Sequence, residues 1–231
     1  MDAVLYVTLG IVALFLLSLT PIGVCFRRWM MVKMYEKVQR KYEAHVGDRK
    51  RELFAGLNGT VLEIGPGNGV NFQYLPDSID RWIGIEPNPY MHGPLRAAGD
   101  ALGIPTDFRE VTAEGMNVED GSVDVALSTL VLCSVADPVG VVRDIHRSLR
   151  PGGRFVFLEH IAAEPGTRLR RAQGLLNPLW RYMADGCHLN RDLTDIIRGA
   201  GFAELSVDEF TVPKEVGPAV VSRQVAGVAI K

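Results

Sequence analysis

Apolar and polar positions alternate in short blocks along most of this chain, and the blocks mark its elements. Residues 61–64, 81–85, 107–110, 123–128, 153–159, 202–211 and 224–230 read as strands. Helical stretches fall near 70–74, 89–102, 138–150 and 190–200. Asp137-Pro138 is a helix start, a capping side chain followed by proline in the first turn. Asn190 can cap the last helix in the same way. Arg150-Pro151-Gly152-Gly153 ends a helix and turns the chain into the next strand. Strand and helix in alternation predict an α/β domain, a mostly parallel sheet with helices on both faces. The last strands follow a long insert and predict an antiparallel edge hairpin.

The insert, residues 160–190, breaks the rhythm. It holds Arg168-Leu169-Arg170-Arg171, Asn177-Pro178-Leu179-Trp180 and Asp185-Gly186-Cys187-His188. An insertion at the strand ends of such a sheet suits a lid or substrate wall. Its arginines suit either anionic lipid headgroups or an ordinary solvated helix face.

The pattern at the N-terminus is different. Residues 3–26 carry no charge, 24 in a row, long enough to cross a bilayer as a tilted helix. Arg27, Arg28, Lys33, Lys37, Arg40 and Lys41 follow, with Trp29 at the boundary. That order predicts an uncleaved anchor whose following segment stays on the cytoplasmic side. Pro21 and Gly23 leave a bent, monotopic insertion open. Residues 27–55 read as a basic amphipathic helix, lying in the membrane interface or packed on the domain over a cofactor. The expected organisation is therefore an anchor over 1–26, this helical segment over 27–55 and a catalytic domain over 56–231.

Composition narrows the chemistry. The chain has 231 residues and a net charge of −2, so no global basic field marks it for nucleic acid. Its three cysteines, Cys25, Cys133 and Cys187, are widely spaced and form no metal-ligand motif. That spacing argues against a disulfide framework or a zinc site and fits a reducing compartment.

The candidate chemistry centres on Thr60–Gly69, TVLEIGPGNG. An apolar strand stops in Gly65-Pro66-Gly67-Asn68-Gly69, where the backbone can approach a ligand. About twenty residues on, the second strand ends in Glu86, well placed to accept from ribose hydroxyls. The glycine spacing lacks the GxGxxG of dinucleotide enzymes, which argues against an oxidoreductase. It resembles instead the first motif of class I S-adenosylmethionine-dependent methyltransferases, with Glu63 two residues before the first glycine. Glu86, Ala113-Glu114 with the following Glu119–Asp124 segment, and Leu149–Phe155 match later motifs of that superfamily in order.

A closer resemblance lies in Thr129–Val135, Glu159-His160, Asp185-Gly186-Cys187 and Lys50–Phe54. These, with the apolar N-terminus, are similar to the methyltransferase-like protein 7 family, membrane-associated alkyl-thiol methyltransferases. The chain departs at Pro66 and Asn68, where the family commonly has Cys and Thr, and at His188, where Asn would be expected.

The resemblance implies a three-layer Rossmann-like fold with seven strands and an N-terminal membrane helix. It implies methyl transfer from S-adenosyl-L-methionine to small lipophilic thiols. The site would be the endoplasmic reticulum or lipid droplets in a eukaryote, or the inner face of the plasma membrane in a bacterium. Membrane lipids would meet residues 3–42. A lipid amine or quinol as acceptor, or a cofactor-binding scaffold without turnover, are the competing expectations. The implied cofactor set is Glu63 at the ammonium, Gly65, Gly67 and Gly69 at the amino-acid moiety, and Glu86 at the ribose. Ala113 and Glu114 would meet the adenine, and Leu130 the transferring methyl.

A thiol acceptor reacts as its thiolate, so a base is expected. His160, at the carboxyl end of the fifth strand, is the first candidate, and His188 and Asp185 follow. His160 could equally be a structural partner of Glu159, and the other two could be loop or helix caps. Cys133 and Cys187 read as small buried residues.

Overall fold

The structure, a computed structural model, describes residues 5, 6, 8, 9 and 17–231. Seven strands form one sheet: β1 (Gly59–Ile64), β2 (Ile79–Ile85), β3 (Thr106–Arg109), β4 (Val123–Thr129), β5 (Leu149–His160), β6 (Glu204–Thr211) and β7 (Arg223–Ile230). Their order is β3-β2-β1-β4-β5-β7-β6. The first five strands pair in parallel, and β7 runs antiparallel between β5 and β6. The direction of travel across the sheet reverses between β1 and β4, which opens a crevice at their carboxyl ends.

Among the described residues from 21 on, five α-helices accompany the sheet: α1 (Pro21–Phe54), α2 (Pro89–Asp100), α3 (Pro138–Ser148), α4 (Arg168–Met183) and α5 (Leu193–Arg198). Alternation along β1 sends Leu62 and Ile64 to one face, where they join Val141, Val142 and Ile145 of α3 and Leu193 and Ile197 of α5. Val61 faces the other way, packing with Trp82, Leu95 and Phe54. Asp137 caps α3 by accepting from the Gly140 amide at 2.9 Å. The start of α5 differs from expectation. Its N-cap is Asp192, not Asn190, and the Asp192 carboxylate is taken by Arg170 of α4 at 2.9 and 2.8 Å.

The insert is built around α4. Thr167 starts it by accepting from the Arg170 amide. Gln173, fully buried, pins it by accepting from the Ala163 amide and donating to the Val220 carbonyl.

Helix α1 has 34 residues and runs through residues 26 and 27 without a break. Thr20 caps it and Pro21 occupies its first turn. Its later turns bury Tyr42, Val46 and Phe54 against the domain, whereas Ile22, Phe26 and Trp29 stay exposed. Among the described residues no helix is long and apolar enough to cross a membrane. Of the anchor expected over 1–26, residues 1–4, 7 and 10–16 lie outside the described residues.

Candidate functional site

Sheet register assembles the site. Ile64 pairs with both Ile85 and Ser128, so β1 and β2 end at one level and β4 one residue beyond it. The residues that follow, Gly65, Glu86 and Leu130, are therefore neighbours at the carboxyl edge. Thr129 pairs with Leu158, and β5 runs two residues further to carry His160 beyond that level.

The glycine turn has φ of 60° at Gly65, 60° at Gly67 and 82° at Gly69, angles that L side chains rarely adopt. A Cβ on Gly65 would sit 2.3 Å from Val131 Cγ2. A Cβ on Gly67 would meet nothing within 4 Å, so the turn leaves open space above its backbone. Glu86 reaches that turn. One carboxylate oxygen accepts from the Gly67 amide at 3.0 Å and the other from the Asn88 amide at 2.8 Å. Burial raises the Glu86 carboxyl, and those two amide bonds oppose the rise.

These residues open into a cavity of about 520 Å³, a size suited to a nucleoside cofactor and a small acceptor together. Of the expected cofactor residues, Gly65, Gly67, Glu86, Ala113, Glu114 and Leu130 line it. Leu130 has a φ of +57°, and its amide donates to the Leu158 carbonyl at 2.9 Å. Positive φ at a β4-end leucine is sustained strain at a ligand-facing turn. Glu159 holds that turn: one oxygen accepts from Ser128 Oγ and from the amides of Val131 and Leu132. The Glu114 carboxylate, meanwhile, accepts from the Ala136 and Asp137 amides, bracing the start of α3.

Glu63 and Gly69 do not line the cavity. Glu63 is fully buried beneath the turn, accepting from Asn71 Nδ2 at 2.7 Å and Trp82 Nε1 at 2.9 Å. Gly84, paired with Glu63 across the sheet, leaves the space the Trp82 indole fills. Asn71 also donates to Thr129 and accepts from Lys50, whose ammonium bonds Glu43. The acid expected at the ligand ammonium is thus committed to a buried network that supports the turn from below.

Helix α1 forms a wall of the cavity with Met31, Val32, Tyr35, Val38 and Tyr42. A reciprocal pair of amide bonds between Gln39 and Asn68, at 2.9 and 3.0 Å, ties it to the glycine turn. Of the two readings of residues 27–55, packing over the site describes these later turns.

The three base candidates separate. His160 and Asp185 line the cavity, and His188 does not. His188 bonds the Cys133 carbonyl through its amide and its Nδ1. Asp185 has φ +45° and pairs with Arg28 of α1 at 3.3 Å. His160 is not hydrogen-bonded to Glu159. Its Nε2 lies 3.0 Å from Cys187 Sγ, and its Nδ1 is buried with no partner. Trp180 Nε1 donates to the same sulfur at 3.3 Å. Cys133 joins them, so the ligand atoms of Cys133, His160 and Cys187 all lie within 4.8 Å of one another. Cys133 keeps its proton, raised by the neighbouring Cys187 and by burial. Cys187 is lowered to about 4, first by the hydrogen bond from Cys133, with His160 and Trp180 adding to it against burial.

The spacing argument against metal-type ligands does not reach this cluster. That argument covers ligands close in sequence, whereas these three come from the turn after β4, the end of β5 and the loop after α4. Its sequence signal was only the position of each residue beside a strand end or in the insert.

The methyltransferase domain family matches residues 62–157. Thiol S-methyltransferase TMT1A of Homo sapiens is 38% identical over 184 residues, 74% of this chain and 75% of that protein. Thiol S-methyltransferase TMT1B of Homo sapiens is 32% identical over 219 residues, 89% and 88% of the two chains. Among solved structures, an S-adenosylmethionine dependent methyltransferase from Mesorhizobium loti superposes with a TM-score of 0.59. It is 22% identical, with 80% of this chain and 97% of that one covered.

Proposed function

The chain belongs to the thiol S-methyltransferase family, and from that premise we propose that it methylates the sulfur of small lipophilic thiols at a membrane surface. It is an S-adenosyl-L-methionine-dependent methyltransferase. The observation that carries the acceptor reading is one shared cavity: the Gly67–Glu86 pair and the His160–Cys187 pair line the same apolar-walled space.

The residues fit the cofactor. The space above Gly67 is open, and the Glu86 carboxylate, with one amide bond on each oxygen, keeps lone pairs for two ribose hydroxyls. Gly65 and Gly67 would lie against the amino-acid moiety, and Ala113 and Glu114 beside the adenine. Bound there, S-adenosyl-L-methionine supplies a methyl group already activated on a sulfonium. The protein's own part is then alignment, exclusion of water and help with one proton. Leu130 presses on the acceptor side, and Met31, Val32 and Val38 of α1 shut out water. The acceptor sulfur must lose its proton, and the lining groups that can promote this are His160 and Asp185. His188 contributes by holding the Cys133 carbonyl.

Support for the membrane comes from two exposed apolar stripes. Ile22, Phe26 and Trp29 recur at helical spacing on α1, and Leu175, Leu179 and Met183 on α4. The two helices adjoin, with the Arg27 guanidinium over the Tyr182 ring at 4.1 Å. Exposed Arg168, Arg171 and Arg181 flank the α4 stripe, a pattern suited to an anionic leaflet. The anchor expected in the first 26 residues adds to this reading, and the catalytic domain would face the cytosol.

The test is a labelled-methyl assay with alkyl thiols, quinols and amino-lipids in competition, read by mass spectrometry. Methylation of the thiols alone is expected. Methylation only of a quinol or lipid amine would overturn the acceptor.

A further inference from the structure

We propose that Cys133, His160 and Cys187 form a three-ligand site for a zinc-type divalent cation, with its fourth position open to the acceptor thiol. The proposal deepens the thiol-methylation reading and rests on it for the identity of the fourth ligand.

Four observations carry it. The three side chains are buried, at 2%, 4% and 9% exposure, so their closeness is imposed by the fold. Their ligand atoms lie within 4.8 Å of one another. Tetrahedral zinc with two sulfurs and one nitrogen sets ligand atoms about 3.5–3.8 Å apart, so modest side-chain shifts would seat the ion. All three residues line the cavity, so a cation held by them has a face toward bound acceptor. Finally, the surroundings suit metal-bound sulfur. Trp180 Nε1 donates to Cys187 Sγ at 3.3 Å, as donors around thiolate ligands do. His160 aims Nε2 at the cysteine pair, 3.0 Å from Cys187 Sγ, so it is the ring nitrogen that would ligate.

Two thiolates and a neutral imidazole balance a 2+ charge, and soft sulfur ligands with imidazole select zinc over magnesium or calcium. Loading the site displaces the protons of Cys133 and Cys187 to solvent. The acceptor thiol then binds at the open position and loses its own proton to water, because the cation stabilises the thiolate. Its sulfur lone pair forms the new bond to the methyl carbon as the old carbon–sulfonium bond breaks. A thioether and S-adenosylhomocysteine result, and the neutral thioether, a weaker ligand than a thiolate, departs.

The experiment is a Co²⁺ and Zn²⁺ titration of the full chain, reduced and freed of metal beforehand. One equivalent of Co²⁺ with a near-ultraviolet thiolate-to-cobalt charge-transfer band is expected, and Zn²⁺ should bleach it. Cys133→Ser and Cys187→Ser should each weaken binding about 100-fold or more, and Trp180→Phe about 10-fold. Binding of S-adenosylhomocysteine by the two serine variants reports that they fold. No thiolate band in the reduced chain, or unchanged affinity in both serine variants, would overturn the site. A chain that binds S-adenosylhomocysteine and methylates thiols but takes up no cation loses this inference alone. A chain that takes up the cation but methylates no thiol keeps the site and loses the acceptor reading.

Discussion

The Glu86 carboxylate accepts from the Gly67 amide at 3.0 Å, so the acid that ends β2 braces the glycine turn that ends β1. Replacing Glu86 with alanine removes that brace together with the acceptor for the ribose. Charge-assisted hydrogen bonds contribute roughly 1.5–3 kcal/mol, so Glu86→Ala should weaken S-adenosylhomocysteine binding about 10- to 100-fold in calorimetry. Its melting curve should stay cooperative. Affinity equal to wild type would remove Glu86 from the cofactor site.

Two glycines in the same turn should respond differently to a methyl group. Gly65→Ala drives a Cβ into Val131 and strains a left-handed residue, so it should lower the melting temperature as well as cofactor affinity. Gly67→Ala meets no protein atom. It carries the conformational cost of roughly 1–2 kcal/mol but fills the space a ligand needs. Its loss of cofactor affinity should therefore exceed its loss of stability. The reverse ranking, measured by calorimetry and thermal melting, would show that Gly67 is not at the ligand.

Lys50 is fully buried and bonded to Glu43 and Asn71. Lys50→Met strands a buried carboxylate, a loss of roughly 3–5 kcal/mol. Neighbouring Arg51 pairs with the exposed Asp48, and Arg51→Met should cost about 0–1 kcal/mol. Chemical denaturation of both variants checks the contrast, and similar midpoints would deny the network a structural role.

The Cys187 thiol, lowered to about 4 by Cys133, His160 and Trp180, makes stability depend on pH. An unfolded cysteine ionises near 8.5, roughly, so between those values the folded chain binds fewer protons than the unfolded one. This contribution is fully present above the unfolded value and is lost as pH falls toward the folded one. Melting temperatures of the reduced, metal-free chain should fall more steeply from pH 8.5 to pH 4 than those of Cys187→Ser. Parallel curves would mean that Cys187 carries no buried charge.

Leu175 and Leu179 are 82% and 59% exposed on one face of α4. Replacing both with aspartate should reduce sedimentation with phosphatidylserine-containing vesicles several-fold while leaving S-adenosylhomocysteine affinity unchanged. Undiminished sedimentation would assign membrane contact to other residues.

Much of this was readable along the chain. Each of the seven strands lies where the apolar blocks put it, and the turn and Glu86 stand at strand ends, because both depend on patterns a few residues long. The insert is readable as an interruption with a helix face as one reading of its arginines, but the extent of α4 is not. Pro178 and Gly174 sit inside α4, weakening the local signal, and Gln173 supplies long-range bonds that hold it in place. The last helix starts at Asp192 and not Asn190 for a similar reason, since Asp192 is held at that position by an arginine twenty-two residues away.

Sequence by itself determined the order of strands and helices, the conformationally permissive turn and the acid twenty residues beyond it. Local sterics and hydrophobic period specify those features wherever the segment ends up. Tertiary structure alone decided that Glu63 turns inward to Asn71 and Trp82 and that α1 walls the cavity. It also decided that Cys133, His160 and Cys187 meet. Those outcomes depend on which strands become neighbours and in what register, and contacts between residues so distant in the chain exist only once the sheet has closed around them.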